Sequence, residues 1–463
     1  MARSNTWSEE ATCAPMLAFG QATALTVVSQ VLILLLGTGT SVLLARLLGP
    51  EGKGIYALAL LFPTLVARLI NLGIHQATVY YAAQGRHSLK DILGTNVAFA
   101  TGFGMLGILV GLVVVLLFRE SAFPGVAQSY LLIGLAMIPL NLLFNYSIGL
   151  LLGARRFGLT NLTEICRALM NLVLIGVVLW GLGKGVYGAL IATAMSWFVV
   201  DALLLFGARK VVGGISFGFP SGYAKKALLF GIQAHLGSIL VFLNFRLDFF
   251  LINALLEPTA LGLYSISVVI AEQLSIVSLA AYRVLLPTVA TDEVERKRAE
   301  LTPLVARIVG GLTALAAILV FFFSSLIVKL LFSTSFLPAV QPLQLLLPGI
   351  VALSISRVLA SDIAGRGRVI LNTYVAALAV VVNLTLNVLW IPKYGISGAA
   401  LASTVSYSFS LVFRILLYRR LSRNPLRVLV PKRMDWQLLL RGCVLLGGRA
   451  LAKIGKLKGG PTQ

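Results

Sequence analysis

A chain of 463 residues that is 58% hydrophobic and 12% charged, with a mean hydropathy of +0.94, lacks the surface of a soluble domain, where roughly 25% of residues carry charge. It reads as a membrane protein whose length is counted in bilayer spans of about 20 residues. The formal charge of +22, from 38 Lys and Arg against 16 Asp and Glu, is read against topology before nucleic acid is invoked, and Cys13, Cys166 and Cys443 have no paired spacing for a disulfide framework or a zinc site.

Residues 1–21 contain Glu9, Glu10 and Pro15 and no basic segment feeding a short apolar run, so they read as a retained cytoplasmic segment, not a secretory signal. Twelve spans are then predicted, at 22–48, 55–82, 91–118, 128–152, 158–181, 185–208, 227–256, 260–289, 303–332, 339–363, 368–391 and 394–418. Only helices and closed barrels satisfy every backbone group in hydrocarbon, and these runs are too long and continuously apolar for barrel strands. The spans divide into an N-lobe (22–208), a cytoplasmic interlobe linker (209–226) and a C-lobe (227–418). In the tail, 419–463, basic residues alternate with Leu, Val and Trp436, as in an amphipathic segment lying on anionic lipid headgroups.

With the N-terminus inside, 25 Lys and Arg fall in the even-numbered connections and tails and five on the opposite side. The positive-inside rule then places both termini in the cytoplasm and accounts for most of the +22 without a nucleic acid partner.

The chain also matches itself. Leu43–Ala59 aligns with Leu251–Ser267 at an offset of 208, pairing Pro50, Gly54 and Tyr56 with Pro258, Gly262 and Tyr264. Gly183–Ser196 aligns with Lys393–Ser406 at an offset of 210, pairing Gly185 and Gly188 with Gly395 and Gly398. Each copy holds six spans, so both halves enter the membrane in the same sense and are expected to be related by a pseudo-twofold along its normal.

A first span ending in ARLLGPEGKGIYAL, then LFPTLVARLINLGIHQATVYY, and in the second half NFRLDFFLINALLEPTALGLYSIS, resembles the polysaccharide exporters. These form the O-antigen flippase (Wzx-like) branch of the multidrug/oligosaccharidyl-lipid/polysaccharide (MOP) superfamily, which also contains drug exporters and the lipid II flippase. The resemblance runs from about 20 to 420. It implies an all-α polytopic protein of two six-helix lobes, V-shaped with a central cavity. It further implies transfer of a lipid-linked oligosaccharide between leaflets by exposing that cavity to each side in turn.

Ionisable side chains are costly at bilayer depth and mark cavities or buried pairs. Arg307, Lys329, Arg357 and Arg414 lie near predicted span ends and can snorkel; Glu164 and Arg167, one turn apart, can neutralise each other. Arg68 is the leading substrate-binding candidate: it is near mid-span, lacks an acid at helical spacing, and shares a predicted face with Thr64, Asn71 and His75. Pro63–Arg68 also resembles the arginine-containing segment that contributes to the anionic substrate cavity of the lipid II branch. Arg246 and Arg357 are the further phosphate candidates. Asn244 and Asp248 share a face, as do Asn383 and Asn387, and these four could form an oxygen-rich site for Na+ or H+, as the coupled members of the superfamily suggest; interhelical hydrogen bonding is the competing reading. Glu272 and Arg283, three turns apart, are gate candidates. Pro63, Pro139, Pro287 and Pro348 can bend their spans. No metal and no resident cofactor are expected.

Three functions compete. A polyprenyl-diphosphate oligosaccharide needs cations in a polar seam, and the span inventory is basic, with Glu164, Asp248 and Glu272 as the deep acids. A drug exporter for organic cations would favour carboxylates and aromatics. An integral-membrane glycosyltransferase or polymerase needs positioned acid-base groups on a substantial external loop, and the external connections are about ten residues or fewer. GLGKG at 181–185 lacks the hydroxyl residue of a nucleotide-binding loop. The expectation is a non-enzymatic, monomeric flippase of the bacterial inner membrane, serving O-antigen or related lipopolysaccharide biosynthesis and working beside polysaccharide-assembly proteins.

Overall fold

Among residues 7–214, 216, 221–290, 295–422, 425–430 and 432, which the computed structural model describes, every regular element is helical. In chain order these are α1 (Trp7–Ile70), α2 (Ile74–Gln84), α3 (Leu89–Ala122), α4 (Gln128–Ala136), α5 (Ile138–Gly153), α6 (Phe157–Gly176, continued by a π turn), α7 (Gly185–Val212), α8 (Ser221–Leu255), α9 (Pro258–Gln273), α10 (Ile276–Ala290), α11 (Glu295–Leu331), α12 (Val340–Gly365, preceded by a 3₁₀ turn) and α13 (Val369–Ser422). The basic tail expected on the membrane surface lies, beyond Lys432, outside the described residues.

Nine helical segments in the described residues are long and apolar enough to cross a bilayer, and ten when the bent α9–α10 pair counts as one. Two of them are double. Helix α1 turns at Gly49 (φ 69°, ψ −178°) and α13 at Gly395 (φ 58°, ψ −141°), backbone conformations that cost glycine little and any other residue much. Unbroken, the 54 residues of α13 would reach about 81 Å, far more than a hydrocarbon core of ~30 Å; each kink makes two spans of one helix. With those divisions the twelve expected spans are accounted for.

Three spans differ from expectation by being broken; the fourth, predicted over 128–152, is interrupted by a one-residue turn at Met137 between α4 and α5. The second, predicted as continuous over 55–82, is interrupted between α1 and α2, where Leu72 and Gly73 take positive φ (49° and 72°). The cause is a backbone crossing: a Cβ on Gly73 would sit 2.1 Å from the Gly231 carbonyl oxygen of α8, and one on Gly231 would sit 2.3 Å from that of Leu72. The eighth span, predicted over 260–289, bends by 49° between α9 and α10. Prolines account for few of these breaks; Pro139 merely opens α5, as suits a residue without an N–H.

The chain forms two interleaved compact units: Met1–Ile270 with Ser324–Leu343 and Leu384–Ala402, and Ala271–Phe323 with Gln344–Asn383 and Ser403–Gln463. In the first, α1 packs along α6, α2 and α3 against α5, and α2 against α8, around a core that includes Leu44, Tyr56, Ile175 and Leu190. Lipid supplies no hydrophobic drive between helices, so small residues and close backbones must hold them. The repeat-related residues meet in this way: a Cβ on Gly54 would lie 1.8 Å from the Pro258 carbonyl oxygen, and one on Gly262 would lie 1.8 Å from that of Pro50. The contact is reciprocal, as a local twofold requires. The other repeat pair, Gly185 and Gly395, shares φ values of 57° and 58°. Arg46 adds a polar clasp, donating to the carbonyls of Leu330 and Leu331 at the end of α11, where a cation favours the helix dipole.

The second unit packs Leu285, Ala306, Val309 and Val358 together. Asp362 is tied to Arg366 at 2.7 Å and to Thr302 at 2.8 Å.

Candidate functional site

Arg68 ends α1 just before the break at 71–73. It is exposed and its guanidinium lies 5.8 Å over the ring of Phe242 on α8; among the described residues it makes no hydrogen bond or ion pair. The break interrupts the continuous face expected with His75, though Arg68 is still close enough to act on His75 electrostatically; His75 bonds through Nδ1 to the Asn145 carbonyl at 2.7 Å on α5. His235 of α8 reaches the Leu69 carbonyl at 3.3 Å, fixing the end of α1 beside Arg68. A narrow crevice, too tight to admit a water molecule, lies one turn earlier, walled by Pro63, Thr64, Asn141 and Trp197 among others. As it stands in this structure the crevice does not hold a ligand of pocket size, about 300 to 1,000 Å³.

On α8, Asn244 and Asp248 are buried. Asp248 accepts from the Tyr264 hydroxyl of α9 at 2.5 Å and from the Phe249 backbone N–H at 3.0 Å. Its repeat counterpart differs: Tyr56 bonds to Thr193 of α7 at 2.8 Å. Arg246 projects elsewhere, donating to the Phe245 carbonyl at 2.9 Å with its guanidinium 5.4 Å over Phe249. Tyr264→Phe is therefore predicted to remove a charge-assisted donor from a buried carboxylate and cost about 1–3 kcal/mol, read as a lowered unfolding temperature of the purified protein.

Within the second unit, Arg357 donates to Ser278 at 3.4 Å, and the Glu272 carboxylate is close enough to act on it electrostatically. The bend at 274–275 places Glu272 and Arg283 on two helices, so they do not share one face as expected; the Arg283 side chain lies outside the described residues. Arg414 does not snorkel. It donates to Ser356 at 2.6 Å and Asn372 at 3.4 Å, joining α13 to α12. Arg307 holds the Val428 carbonyl, whereas Lys329 is exposed as a snorkelling residue should be. Asn383, fully buried, donates to Ser403 at 3.5 Å. Asn387, in the first unit, is equally buried.

The first unit holds a polar group that the residue pattern did not single out. Glu164 accepts from Gln30 of α1 at 3.0 Å and also acts electrostatically on Arg167, which lies between two rings, 3.9 Å from the centroid of Phe144 and 4.1 Å from that of Trp197. Asp201, one turn after Trp197 on α7, is 2% exposed. Asp201 and Asp362 join the deep acids, which the sequence inventory limited to three. The signal for Asp201 was available: a lone carboxylate inside the apolar run FVVDALLLF.

A profile described as polysaccharide biosynthesis protein matches residues 19–291, more than half of the chain and including most of α1, all of α2, the Gly54–Gly262 crossing and Arg68. The chain belongs to the polysaccharide biosynthesis protein family. Its relatives among solved structures share the fold at low identity. A lipid II flippase, MurJ, in an inward closed conformation superposes with a TM-score of 0.70 at 15% identity, covering 95% of this chain and 94% of that one. An inward-facing multidrug resistance MATE family transporter of the MOP superfamily gives 0.66 at 17%, covering 84% and 94%. A MOP superfamily transporter from Pyrococcus furiosus gives 0.61 at 16%, covering 88% and 95%. An uncharacterized membrane protein of Methanocaldococcus jannaschii is 31% identical over 105 residues, 23% of this chain and 21% of that relative; the match spans about a fifth of its length. Family membership, the apolar helices and these superpositions together make the chain a multi-pass membrane protein with the flippase and transporter fold.

Proposed function

We propose that this family member is a flippase that carries a polyprenyl-diphosphate-linked oligosaccharide across the bacterial cytoplasmic membrane by alternating access of two six-helix lobes, for cell-surface polysaccharide such as O-antigen. The observation that carries the reading is Arg68: a cation within the span region, exposed and without an ionic partner among the described residues, beside a break in its own helix. A guanidinium left unpaired at that depth is suited to a mobile anion, and a diphosphate matches its fork of donors. Both termini are placed inside by the distribution of Lys and Arg, and chemistry on the substrate is not part of the reading. Arg246 and Arg357 are assigned secondary phosphate roles, and the carboxamide and carboxylate groups of Asn244, Asp248, Asn383 and Asn387 a role in Na+ or H+ coupling, with Glu272 and Arg283 at a gate. The protein is proposed to act as a monomer alongside polysaccharide-assembly proteins.

The test is reconstitution into proteoliposomes with a fluorescent polyprenyl-diphosphate sugar, scored by accessibility of the label to a membrane-impermeant quencher. Protein-dependent exchange of the label between leaflets is the expected result. Export of an organic cation without movement of that lipid would replace this reading with a drug exporter; sugar transfer to an acceptor would replace it with an enzyme.

A further inference from the structure

Asp201 is 2% exposed, and among the described residues neither oxygen of its carboxyl group has a hydrogen-bond partner. An ionised carboxylate deprived of water, donors and a paired cation is among the costliest groups to bury. Arg167 of α6 acts on it electrostatically, yet its guanidinium is stacked on Phe144 and Trp197. Glu164, the other charge on that side, acts on Arg167 and is engaged by Gln30. Helices α1, α3, α4 and α5 also pack on α7, and no charged group they contribute among the described residues acts on the Asp201 carboxyl.

We infer that Asp201 is a proton-binding site in the first half of the chain, with Arg167 as the cation that responds to it. In the proton-loaded form a carboxyl oxygen holds H+ taken from water, the group is neutral, and Arg167 rests on the two rings. Loss of that proton to water leaves a carboxylate whose attraction in low dielectric draws the guanidinium off Trp197; Arg167 keeps its own proton throughout. A metal cation is disfavoured because it needs several oxygen ligands and would stand beside a guanidinium. Trp197 also walls the crevice that contains Pro63, five residues before Arg68 on α1. Proton release at Asp201 therefore repacks the wall next to the proposed phosphate-binding segment.

The full chain in lipid nanodiscs, without lipid-linked substrate, tests this independently of what the protein transports. Infrared difference spectra between pH 5 and 9 are expected to show a carboxylic acid C=O band that disappears as pH rises and is absent in Asp201→Asn. Arg167→Gln removes the charge that favours ionisation, so the midpoint is expected to move up by about one pH unit. Tryptophan emission should change with the same midpoint, and the change should vanish in Trp197→Phe. Spectra identical in wild type and Asp201→Asn, a midpoint unmoved by Arg167→Gln, or a band that follows sodium at fixed pH would overturn the assignment. Should Asp201→Asn fail to fold, the midpoints of wild type, Arg167→Gln and Trp197→Phe decide the question alone.

Discussion

Gly54→Ala is expected to lower the stability of the purified protein by about 3 kcal/mol, at the upper end of what an inserted methyl costs in a packed core. The reason is the identity of the obstructing atoms. The new Cβ would lie 1.8 Å from the Pro258 carbonyl oxygen and 2.8 Å from the Gly262 nitrogen, and backbone cannot swing aside as a long side chain can. Gly262→Ala is expected to cost as much, because its Cβ would strike the Pro50 carbonyl oxygen at the same distance. The double variant should cost clearly less than the two singles together, since separating the crossing once relieves both contacts. Gly102→Ala in the interior of α3, which would meet nothing within 4 Å, is the control and should be neutral or stabilising by up to about 1 kcal/mol. Thermal unfolding followed by circular dichroism in one detergent measures all four. Full additivity, or a Gly54→Ala midpoint equal to that of the control, would show that the crossing is not a shared close contact.

Arg68→Ala should leave that unfolding midpoint in place while slowing lipid exchange. Its side chain has no ionic partner to lose among the described residues, only the face of Phe242 at 5.8 Å, so truncation costs little stability. A charged hydrogen bond to phosphate is worth about 1.5–3 kcal/mol, which translates into a rate about 10 to 100 times lower in the quencher assay. Arg68→Lys keeps the charge and loses the fork, and an intermediate rate is expected. Phe242→Leu keeps the guanidinium and should retain most of the activity. Unchanged exchange in Arg68→Ala would remove this residue from the substrate path, and a large fall in stability would show that it holds the helices together instead.

The polar residues illustrate how much the chain alone disclosed. Arg68 stood out because no acid occurs at helical spacing, and that local rule survives folding. His75 was grouped with it by counting along a continuous helix; the break at 71–73 defeats such counting, and what breaks the helix is Gly231, a residue far away in sequence. The same holds for Glu272 and Arg283 across the bend at 274–275. Proximity to a predicted end suggested that Arg414 reaches headgroups, whereas Ser356 and Asn372 on neighbouring helices capture it. Asp201 offered the same signal as Arg68, a lone charge in an apolar run, and was passed over; its interest comes from lacking a donor among the described residues in three dimensions.

Composition and periodicity determined the membrane class, the helical fold, the approximate spans and the duplication, because a bilayer enforces internal hydrogen bonding on any segment of that length and polarity. They also marked the matching pairs Pro50 and Pro258, Gly54 and Gly262. Only the tertiary structure decided that these four residues touch each other reciprocally, that glycines rather than prolines turn the long helices, and which buried charges are partnered. Those outcomes depend on backbone approaching backbone within a few ångströms, a relation between distant residues that no local pattern carries.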